Sequence, residues 1–242
     1  MIGAPRVHHR VADSTNQRAK ELAARGAPHG TLVTADEQTA GRGRQGRAWV
    51  APAGTALLMS LVVRELDGRT PLLPLAAAVA VCEAVESLVP AICAIKWPND
   101  VWIDGRKVCG ILVEGRPAEG WAVVGIGLNV STATESFPPE LRDTATSLLA
   151  AAGTAPSVQD ALDSTLAALD RRLRTPAGAL LDAWRGRDAL RGRHVRWSDG
   201  QGVAAGIDDT GALLVDTDAG ARVALDAGEV HLESGGGGLV RG

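Results

Sequence analysis

Apolar residues recur along the chain in two patterns, one typical of helices and one typical of strands. Residues 13–25 predict a helix, with Asp13 or Ser14 available as its N-cap and Gly26 at its C-terminal end. The Ala-rich stretch from Leu72 to Val89 predicts a buried helix. Short apolar runs predict strands at residues 31–36, 55–64, 92–96, 100–103, 108–114 and 121–130, and periodic stretches predict further helices at 143–150, 157–173 and 176–189.

After Arg191 the pattern changes to short strands separated by turns that contain Asp and Gly. Strands are expected at residues 194–197, 203–207, 213–216, 222–225 and 229–232. Strands so short and so evenly spaced predict a small β-barrel. We therefore expect a first domain over residues 1–190, a second over 191–233 and a flexible Gly-rich tail over 234–242.

Composition limits the possible partners. The chain has 242 residues, 45% of them hydrophobic, and a net charge of only -3, so it offers no global positive field for nucleic acid or an anionic membrane. The longest apolar run, residues 71–82, is too short to span a bilayer, and no signal pattern precedes it, which predicts a cytoplasmic protein. Cys82, Cys93 and Cys109 lie among aliphatic residues and are expected to be buried free thiols.

The segment Gly41-Arg42-Gly43-Arg44-Gln45-Gly46-Arg47 concentrates three guanidinium groups on a Gly-rich loop. It follows the strand predicted at residues 31–36, so the arginines leave the edge of a sheet. Glycines allow a ligand to approach the backbone closely, and guanidinium groups grip phosphate and carboxylate oxygens. The loop predicts an anion site, although a solvated surface loop would have the same composition.

A second unusual segment spans residues 96–114. Only three of the 25 basic residues are lysines, and two of them, Lys96 and Lys107, lie here. Because the chain uses arginine almost everywhere else, these lysines indicate a need for a compact point charge. The three asparagines, Asn16, Asn99 and Asn129, fall in or near the same short motifs.

Four segments together resemble the biotin protein ligases, or biotin–[acetyl-CoA-carboxylase] ligases. They are Ser14-Thr15-Asn16, residues 38–47, residues 96–114 and residues 125–130, and the resemblance covers roughly residues 7–235. It implies an α+β fold with a mixed, mainly antiparallel sheet flanked by helices, similar to class II aminoacyl-tRNA synthetases, followed by an SH3-like C-terminal barrel. The short stretch before Ser14 resembles the ligase-only form, which lacks an N-terminal DNA-binding domain.

The resemblance also implies a reaction. Biotin and ATP would form biotinyl-5′-AMP and pyrophosphate with Mg²⁺, and a lysine of a biotin carboxyl carrier protein of an acyl-CoA carboxylase would then take the biotinyl group. Neither nucleic acid nor a membrane is expected as a partner. The family includes monomers and homodimers, so the oligomeric state stays open.

The resemblance assigns residues to three overlapping sets. The catalytic set is Lys107, Arg44 and Asp100. The biotin set is Ser14, Thr15, Asn16, Gln38, Gly41, Arg42, Gly43, Arg44, Trp49, Lys107 and Gly110. The ATP set is Arg44, Arg47, Trp49, Lys96, Asn99, Asp100, Lys107 and Asn129.

Several of these residues have alternative interpretations. Ser14 and Thr15 also suit a helix cap, and Lys96 also suits a structural ion pair. Asp100 could hold Mg²⁺ or receive the proton of the incoming lysine. Glu114 and Asn129 are expected to support the sheet ends. The tryptophans other than Trp49, at positions 97, 102, 121, 184 and 197, are expected in the core.

Two rival functions remain. Lipoate or octanoate ligases share the architecture, but their acyl chain has no ureido group for the polar set Ser14, Thr15 and Gln38. A nucleic-acid-binding module could use the arginine loop and the tryptophans, but the acidic balance of the chain disfavours it.

Overall fold

The computed structural model describes residues 2–64, 66, 68, 70–226 and 228–232. The tail expected at 234–242 lies outside the described residues. Up to Arg185, and apart from short 3-10 helices, the elements in the described residues are β1 (Arg6–Ala12), α1 (Thr15–Ala24), β2 (Leu32–Gln38), β3 (Ala56–Val63), α2 (Leu73–Leu88), β4 (Cys93–Lys96), β5 (Asp100–Ile103), β6 (Arg106–Arg116), β7 (Trp121–Asn129), α3 (Leu148–Ala152), α4 (Val158–Arg174) and α5 (Ala177–Arg185). The remaining strands are β8 (His194–Trp197), β9 (Gly200–Ile207), β10 (Leu213–Thr217), β11 (Arg222–Leu225) and β12 (His231–Leu232).

Strands β1 to β7 form one mixed sheet in the order β1-β2-β3-β7-β6-β5-β4. The pair β1 and β2 is parallel, and the other neighbours are antiparallel. The mixed, mainly antiparallel sheet expected from the sequence is thus confirmed. β1 itself was missed, because its residues RVHHRVA are mostly exposed and lack the apolar run that identified the other strands.

Helices cover both faces of this sheet. α1 packs on β2, β3 and β7, where Ala19, Ala23, Val33, Val62 and Trp121 belong to one apolar cluster. α2 lies on the opposite face, packed against α4 and α5, and forms the larger core. α1 is only ten residues long, so it covers part of its face and leaves the rest open. The open part is where the predicted site residues lie.

Helix α2 lies within a longer helical segment, Thr70–Leu88. This segment is 19 residues long, so by length and composition alone it could cross a membrane, although the apolar run 71–82 within it is shorter. In this structure 67% of an 18-residue stretch of the segment is buried within the protein, where it forms the core helix between the sheet and α4.

Strands β8 to β12 form a separate five-stranded antiparallel sheet in the order β11-β10-β9-β8-β12. It joins the first sheet through side chains and backbone. The indole Nε1 of Trp97 donates to the carbonyl of Gly211 at 3.0 Å, and the backbone of Ile95 pairs with the segment at Arg187 and Ala189. These contacts hold the C-terminal sheet next to the ends of β4 and β5.

Two further expectations have clear outcomes. Cys82, Cys93 and Cys109 are buried, as predicted. The helix expected at 143–150 begins later, at Leu148, because Ser147 caps it by accepting a hydrogen bond from the amide of Ala150.

Candidate active site

The floor of the site is a strip of glycines on the open part of the sheet face. Gly110 on β6 pairs in register with Gly127 on β7, and Leu112 pairs with Gly125. A Cβ at Gly127 would lie 2.6 Å from Cε2 of Trp49, which packs directly on this floor. The missing side chains therefore leave room above the sheet for an indole and a ligand.

Ser14, Thr15 and Gln38 meet at one end of this floor, where the chain enters α1. Ser14 occupies the N-cap position, but its side chain makes no capping hydrogen bond. Both the amide and the hydroxyl of Thr15 lie within hydrogen-bond distance of Gln38 Oε1, at 2.7 and 3.1 Å. The helix-cap interpretation of Ser14 thus lacks its hydrogen bond, and the polar side chains face a small pocket.

Asn16 also lines this pocket, and its side-chain amide is held by three groups. Its Nδ2 donates to the carbonyl of Leu112 at 3.1 Å and to Glu114 Oε2 at 2.9 Å, and its Oδ1 lies 2.6 Å from Ser60 Oγ. Lys20 donates to the other carboxylate oxygen of Glu114 at 2.6 Å. Burial alone would raise the pKa of Glu114, but the hydrogen bonds of Lys20 and Asn16 lower it, so the carboxylate is charged at neutral pH.

Ser60 is a residue that sequence reasoning missed. It lies in the middle of the apolar strand β3, is fully buried, and has Oγ 2.8 Å from Thr15 Oγ1. A lone polar residue in the run ALLMSLVV was the available signal. Its partners lie more than 40 positions away, so the sequence could not identify what the hydroxyl contacts.

The arginine loop crosses above the floor and touches two other parts of the chain. Arg44 donates to Asn99 Oδ1 at 3.2 Å and to the carbonyl of Gly228 at 3.0 Å, and Arg47 pairs with Glu229 at 2.7 Å. Burial lowers the pKa of Arg44, although nearby Asp100 opposes this shift. The segment before β12 therefore helps to hold two of the three arginines.

Arg42 points elsewhere. Its Nη2 donates to Gln17 on α1 at 3.1 Å, beside the polar pocket. Gly41 allows the loop to close on itself, because a Cβ there would collide with the carbonyl of Trp49. Gly43 has no such constraint, and its amide donates to the carbonyl of Arg47 within the loop.

Lys107 and Asp100 form an ion pair in the middle of the cleft. Their Nζ and Oδ1 atoms are 2.7 Å apart, and both side chains are partly buried. The Lys107 ammonium also lies 5.7 Å from the centroid of the Trp49 ring. A Cβ on Gly110 would lie only 3.2 Å from Lys107 Nζ, so the absence of a side chain at Gly110 leaves room for the ammonium beside the indole.

Lys96 and Trp102 form the far wall of the cleft. Lys96 Nζ lies 5.4 Å from the centroid of the Trp102 ring, which is a cation–π contact. Burial lowers the pKa of Lys96, partly offset by the charge of Asp100. Trp102 was expected in the core, but its side chain is partly exposed and lines the cleft. It lies on the short strand β5, next to Lys96 on β4, and this position puts it at the wall of the cleft.

The other tryptophans expected in the core have mixed outcomes. Trp197 is only partly buried, whereas Trp97, Trp121 and Trp184 are buried as expected.

Asn99 and Asn129 differ in how their amides are used. Asn99 donates to the carbonyl of Ile111 at 2.7 Å and accepts from Arg44, so it supports the loop. Asn129 donates to the carbonyl of Thr146 at 3.0 Å, but its buried Oδ1 has no partner within the described residues. That oxygen can accept a hydrogen bond from a ligand.

The cleft has a volume of about 360 Å³, and it shares Arg42, Gly110 and Leu112 with the small polar pocket. Among the described residues, five cations and one carboxylate line it: Arg42, Arg44, Arg47, Lys96, Lys107 and Asp100. A separate cavity of about 420 Å³, between α2 and the end of α4, contains none of the predicted site residues. The cleft is thus strongly cationic in a chain whose net charge is -3.

Among the described residues that line the cleft, Asp100 is the one carboxylate that could bind a metal ion. No group of three or more His, Cys, Asp or Glu side chains suited to a metal ion occurs in the described ranges. Mg²⁺ in nucleotide sites is commonly held by one or two carboxylates together with substrate phosphates. Asp100 alone fits that use, but not a site made entirely of protein ligands.

Comparison with known proteins gives consistent relatives. Residues 8–131 match the biotin/lipoate A/B protein ligase family, and residues 192–232 match the biotin protein ligase C terminal domain. The chain is 38% identical over 235 residues to the biotin–[acetyl-CoA-carboxylase] ligase of Mycobacterium tuberculosis. The matched region covers 90% of this chain and 86% of that protein. It is 39% identical over 240 residues to the bifunctional ligase/repressor BirA of Bacillus subtilis, covering 92% of this chain and 72% of the relative.

A solved structure extends the comparison to three dimensions. The biotin protein ligase from Aquifex aeolicus in complex with biotin and ATP matches with a TM-score of 0.82 and 28% identity. The match covers 95% of this chain and 98% of that one.

Proposed function

The chain belongs to the biotin/lipoate A/B protein ligase family, and on this premise we propose that it is an ATP-dependent biotin protein ligase. It activates biotin as biotinyl-5′-AMP with release of pyrophosphate, and then transfers the biotinyl group to the amine of a carrier lysine with release of AMP. The observation that carries this proposal is that two sites adjoin. A cationic cleft and a small pocket lined by Ser14, Thr15 and Gln38 share Arg42, Gly110 and Leu112 in their walls.

The cations solve the first chemical problem, which is repulsion between two anions. The carboxylate of biotin must approach the α-phosphate of ATP, and this is unfavourable unless fixed positive charges neutralise both. Lys107 lines the cleft next to Gly110, a residue that the cleft shares with the pocket, and it is paired with Asp100 at 2.7 Å. We assign its ammonium to the reacting carboxylate and α-phosphate oxygens, with Arg44 and Arg47 on the other phosphate oxygens.

The nucleotide has two further contacts in this proposal. Trp49 lies on the glycine floor and offers an indole face to the adenylate. The Oδ1 of Asn129, which has no hydrogen-bond partner in the described part of the chain, accepts an N–H group of the adenine. Mg²⁺, held by Asp100 and the phosphates, would supply additional charge neutralisation.

The second step needs the adenylate to survive until the carrier arrives. The arginine loop covers the floor and keeps water from the mixed anhydride. We propose that residues 1–190 form the catalytic domain with a class II synthetase-like fold. In the same proposal residues 191–233 form an SH3-like domain that helps to receive the carrier domain of an acyl-CoA carboxylase. The location proposed for the enzyme is the cytoplasm.

Biotin-dependent exchange of labelled pyrophosphate into ATP tests the first half-reaction. Biotin, lipoate and octanoate would be supplied in turn to the purified protein. We expect exchange with biotin and little exchange with lipoate or octanoate. Of the three acids, only biotin has a ureido group that can form hydrogen bonds with Ser14, Thr15 and Gln38. Exchange with lipoate and none with biotin would favour the rival function instead.

A further inference from the structure

The turn between β4 and β5 carries or borders three residues of the cleft within five positions. Lys96 on β4 pairs in register with Asp100 on β5, so residues 97–99 form the turn of a β-hairpin. Lys96, Asn99 and Asp100 line the cationic cleft. Trp97, in contrast, is 2% exposed and belongs to the larger core. A shift of this hairpin turn would therefore displace three side chains of the cleft together.

Two attachments hold the hairpin turn on opposite sides. On the side of β6, Asn99 Nδ2 donates to the carbonyl of Ile111 at 2.7 Å, and the carbonyl of Asn99 accepts from the amide of Ile111 at 3.0 Å. On the other side, Trp97 Nε1 donates to the carbonyl of Gly211 at 3.0 Å, across 114 positions of the chain. Gly211 lies between β9 and β10, so the second attachment belongs to the C-terminal sheet.

Residues 208–212, here called the Asp208 turn, hold the acceptor of this hydrogen bond in place. Asp208 Oδ1 accepts from the amide and the hydroxyl of Thr210 at 2.8 and 2.7 Å, and from the amide of Ala212 at 3.0 Å. Burial raises the pKa of Asp208, but the hydrogen bonds outweigh burial and lower the pKa overall, so the carboxylate is charged at neutral pH. Hydrogen bonds to a charged acceptor are strong, and three of them stabilise the turn.

The Asp208 turn also packs on α2. Gly211 has a φ of +89°, which favours glycine, and a Cβ there would lie 2.7 Å from Leu75 Cδ1. Leu75 is 2% exposed and belongs to the same core as Trp97. The carbonyl that accepts the indole N–H is thus fixed by the C-terminal sheet on one side and by α2 on the other.

We infer that Trp97 is a positioning residue for the nucleotide: its hydrogen bond to the Asp208 turn holds Asn99 and Asp100 in the geometry that ATP requires. Asn99 Oδ1 accepts from Arg44 at 3.2 Å, and Asp100 pairs with Lys107 at 2.7 Å. The attachment therefore reaches both the arginine loop and the reacting centre. This inference rests on the proposed function, and it concerns the cleft rather than the polar pocket at α1.

Trp97→Phe tests the attachment, because it keeps a buried aromatic ring and removes the N–H donor. Loss of one hydrogen bond changes an equilibrium by roughly 3- to 10-fold, so the KM for ATP in biotin-dependent pyrophosphate exchange should rise by that factor. The dissociation constant of biotin, measured by calorimetry without ATP, should change by less than about twofold, because distant sites without shared partners act independently.

Trp184→Phe is the matched control. Trp184 is fully buried, and its Nε1 has no hydrogen-bond partner within the described residues, so this exchange removes the same atoms without breaking a hydrogen bond. The cavity should lower the Tm in both variants. The KM for ATP of Trp184→Phe should nevertheless stay within about twofold of wild type.

Asp208→Ala tests the same attachment from its other end and replaces Trp97→Phe if that variant does not fold. It loosens the Asp208 turn, so the KM for ATP should rise as in Trp97→Phe. The double variant should show no further rise, because both changes break one hydrogen bond. Asp216→Ala breaks an exposed ion pair with Arg222 inside the C-terminal sheet, and it should leave the KM for ATP within about twofold of wild type.

An unchanged KM for ATP in Trp97→Phe and Asp208→Ala would overturn the role of Trp97. A loss of biotin affinity as large as the rise in KM, or additive effects in the double variant, would overturn it as well. Absence of biotin-dependent exchange in the wild-type protein would instead overturn the proposed function.

Discussion

Replacement of Lys107 probes the reacting centre most sharply. Its ammonium is 2.7 Å from Asp100, and the Cβ position of Gly110 lies 3.2 Å from both Cε and Nζ. Lys107→Ala removes a preorganised positive charge from the point where the carboxylate and the α-phosphate meet. Loss of one such group typically lowers a rate by ~10²- to 10³-fold, or roughly 3–4 kcal/mol. We expect a loss of that size in biotin-dependent pyrophosphate exchange.

Lys107→Arg tests whether charge alone is sufficient. The guanidinium is broader than the ammonium, and the space is bounded by Gly110 on one side and by the Trp49 ring, whose centroid is 5.7 Å from Nζ, on the other. We expect at least a ~10-fold loss, since an Arg for Lys exchange is not conservative at a confined site. The Lys107 and Asp100 pair is partly exposed, so unfolding should change by only about 1 kcal/mol. An arginine variant with a near-normal exchange rate and normal thermal unfolding would refute the point-charge argument.

Three other substitutions give independent predictions. Gly127→Ala places a Cβ 2.6 Å from Trp49 and should displace the indole, raising the KM for ATP by ~10-fold; an unchanged KM would contradict the role of the floor. Glu229→Gln breaks the partly exposed ion pair with Arg47, worth up to about 1 kcal/mol, so trypsin should cut after Arg47 no more than about fivefold faster. Saturating biotin and ATP should suppress that cleavage, and equal rates with and without them would argue against a closing loop. The fold lowers the pKa of Glu114 below 4.5, so its stabilising effect is complete above that pH and is lost as pH falls through the lowered value. The Tm difference between wild type and Glu114→Gln should therefore shrink on acidification, and a difference independent of pH would contradict the linkage.

The sequence was most informative about segments whose functional residues lie close together in the chain. The arginine loop and the lysines of residues 96–114 predict an anion site, because their residue types and spacing are local properties of the sequence. The apolar runs likewise predicted the strands of the sheet, whose buried faces are visible in the sequence. Both kinds of signal depend on neighbours within a few positions.

Long-range contacts were beyond such reasoning. Ser60 contacts Asn16 across 44 positions, and Arg44 reaches Gly228 across 184. Strand β1 pairs with β2 at the edge of the sheet, where exposed polar residues hide the usual alternation. Trp102 looked like a core residue because tryptophan is apolar, but the end of β5 leaves it at the wall of the cleft. Tertiary structure, not propensity, determines each of these positions.

Transfer of biotin to a carrier tests the whole reaction in one measurement. The purified protein would be incubated with biotin, ATP, Mg²⁺ and an isolated biotin carboxyl carrier domain, and the carrier would be examined by mass spectrometry. The account predicts a mass increase of one biotinyl group on a single lysine, which depends on ATP and forms far more slowly with Lys107→Ala. An unmodified carrier, or one modified equally well by the Lys107→Ala variant, would contradict it.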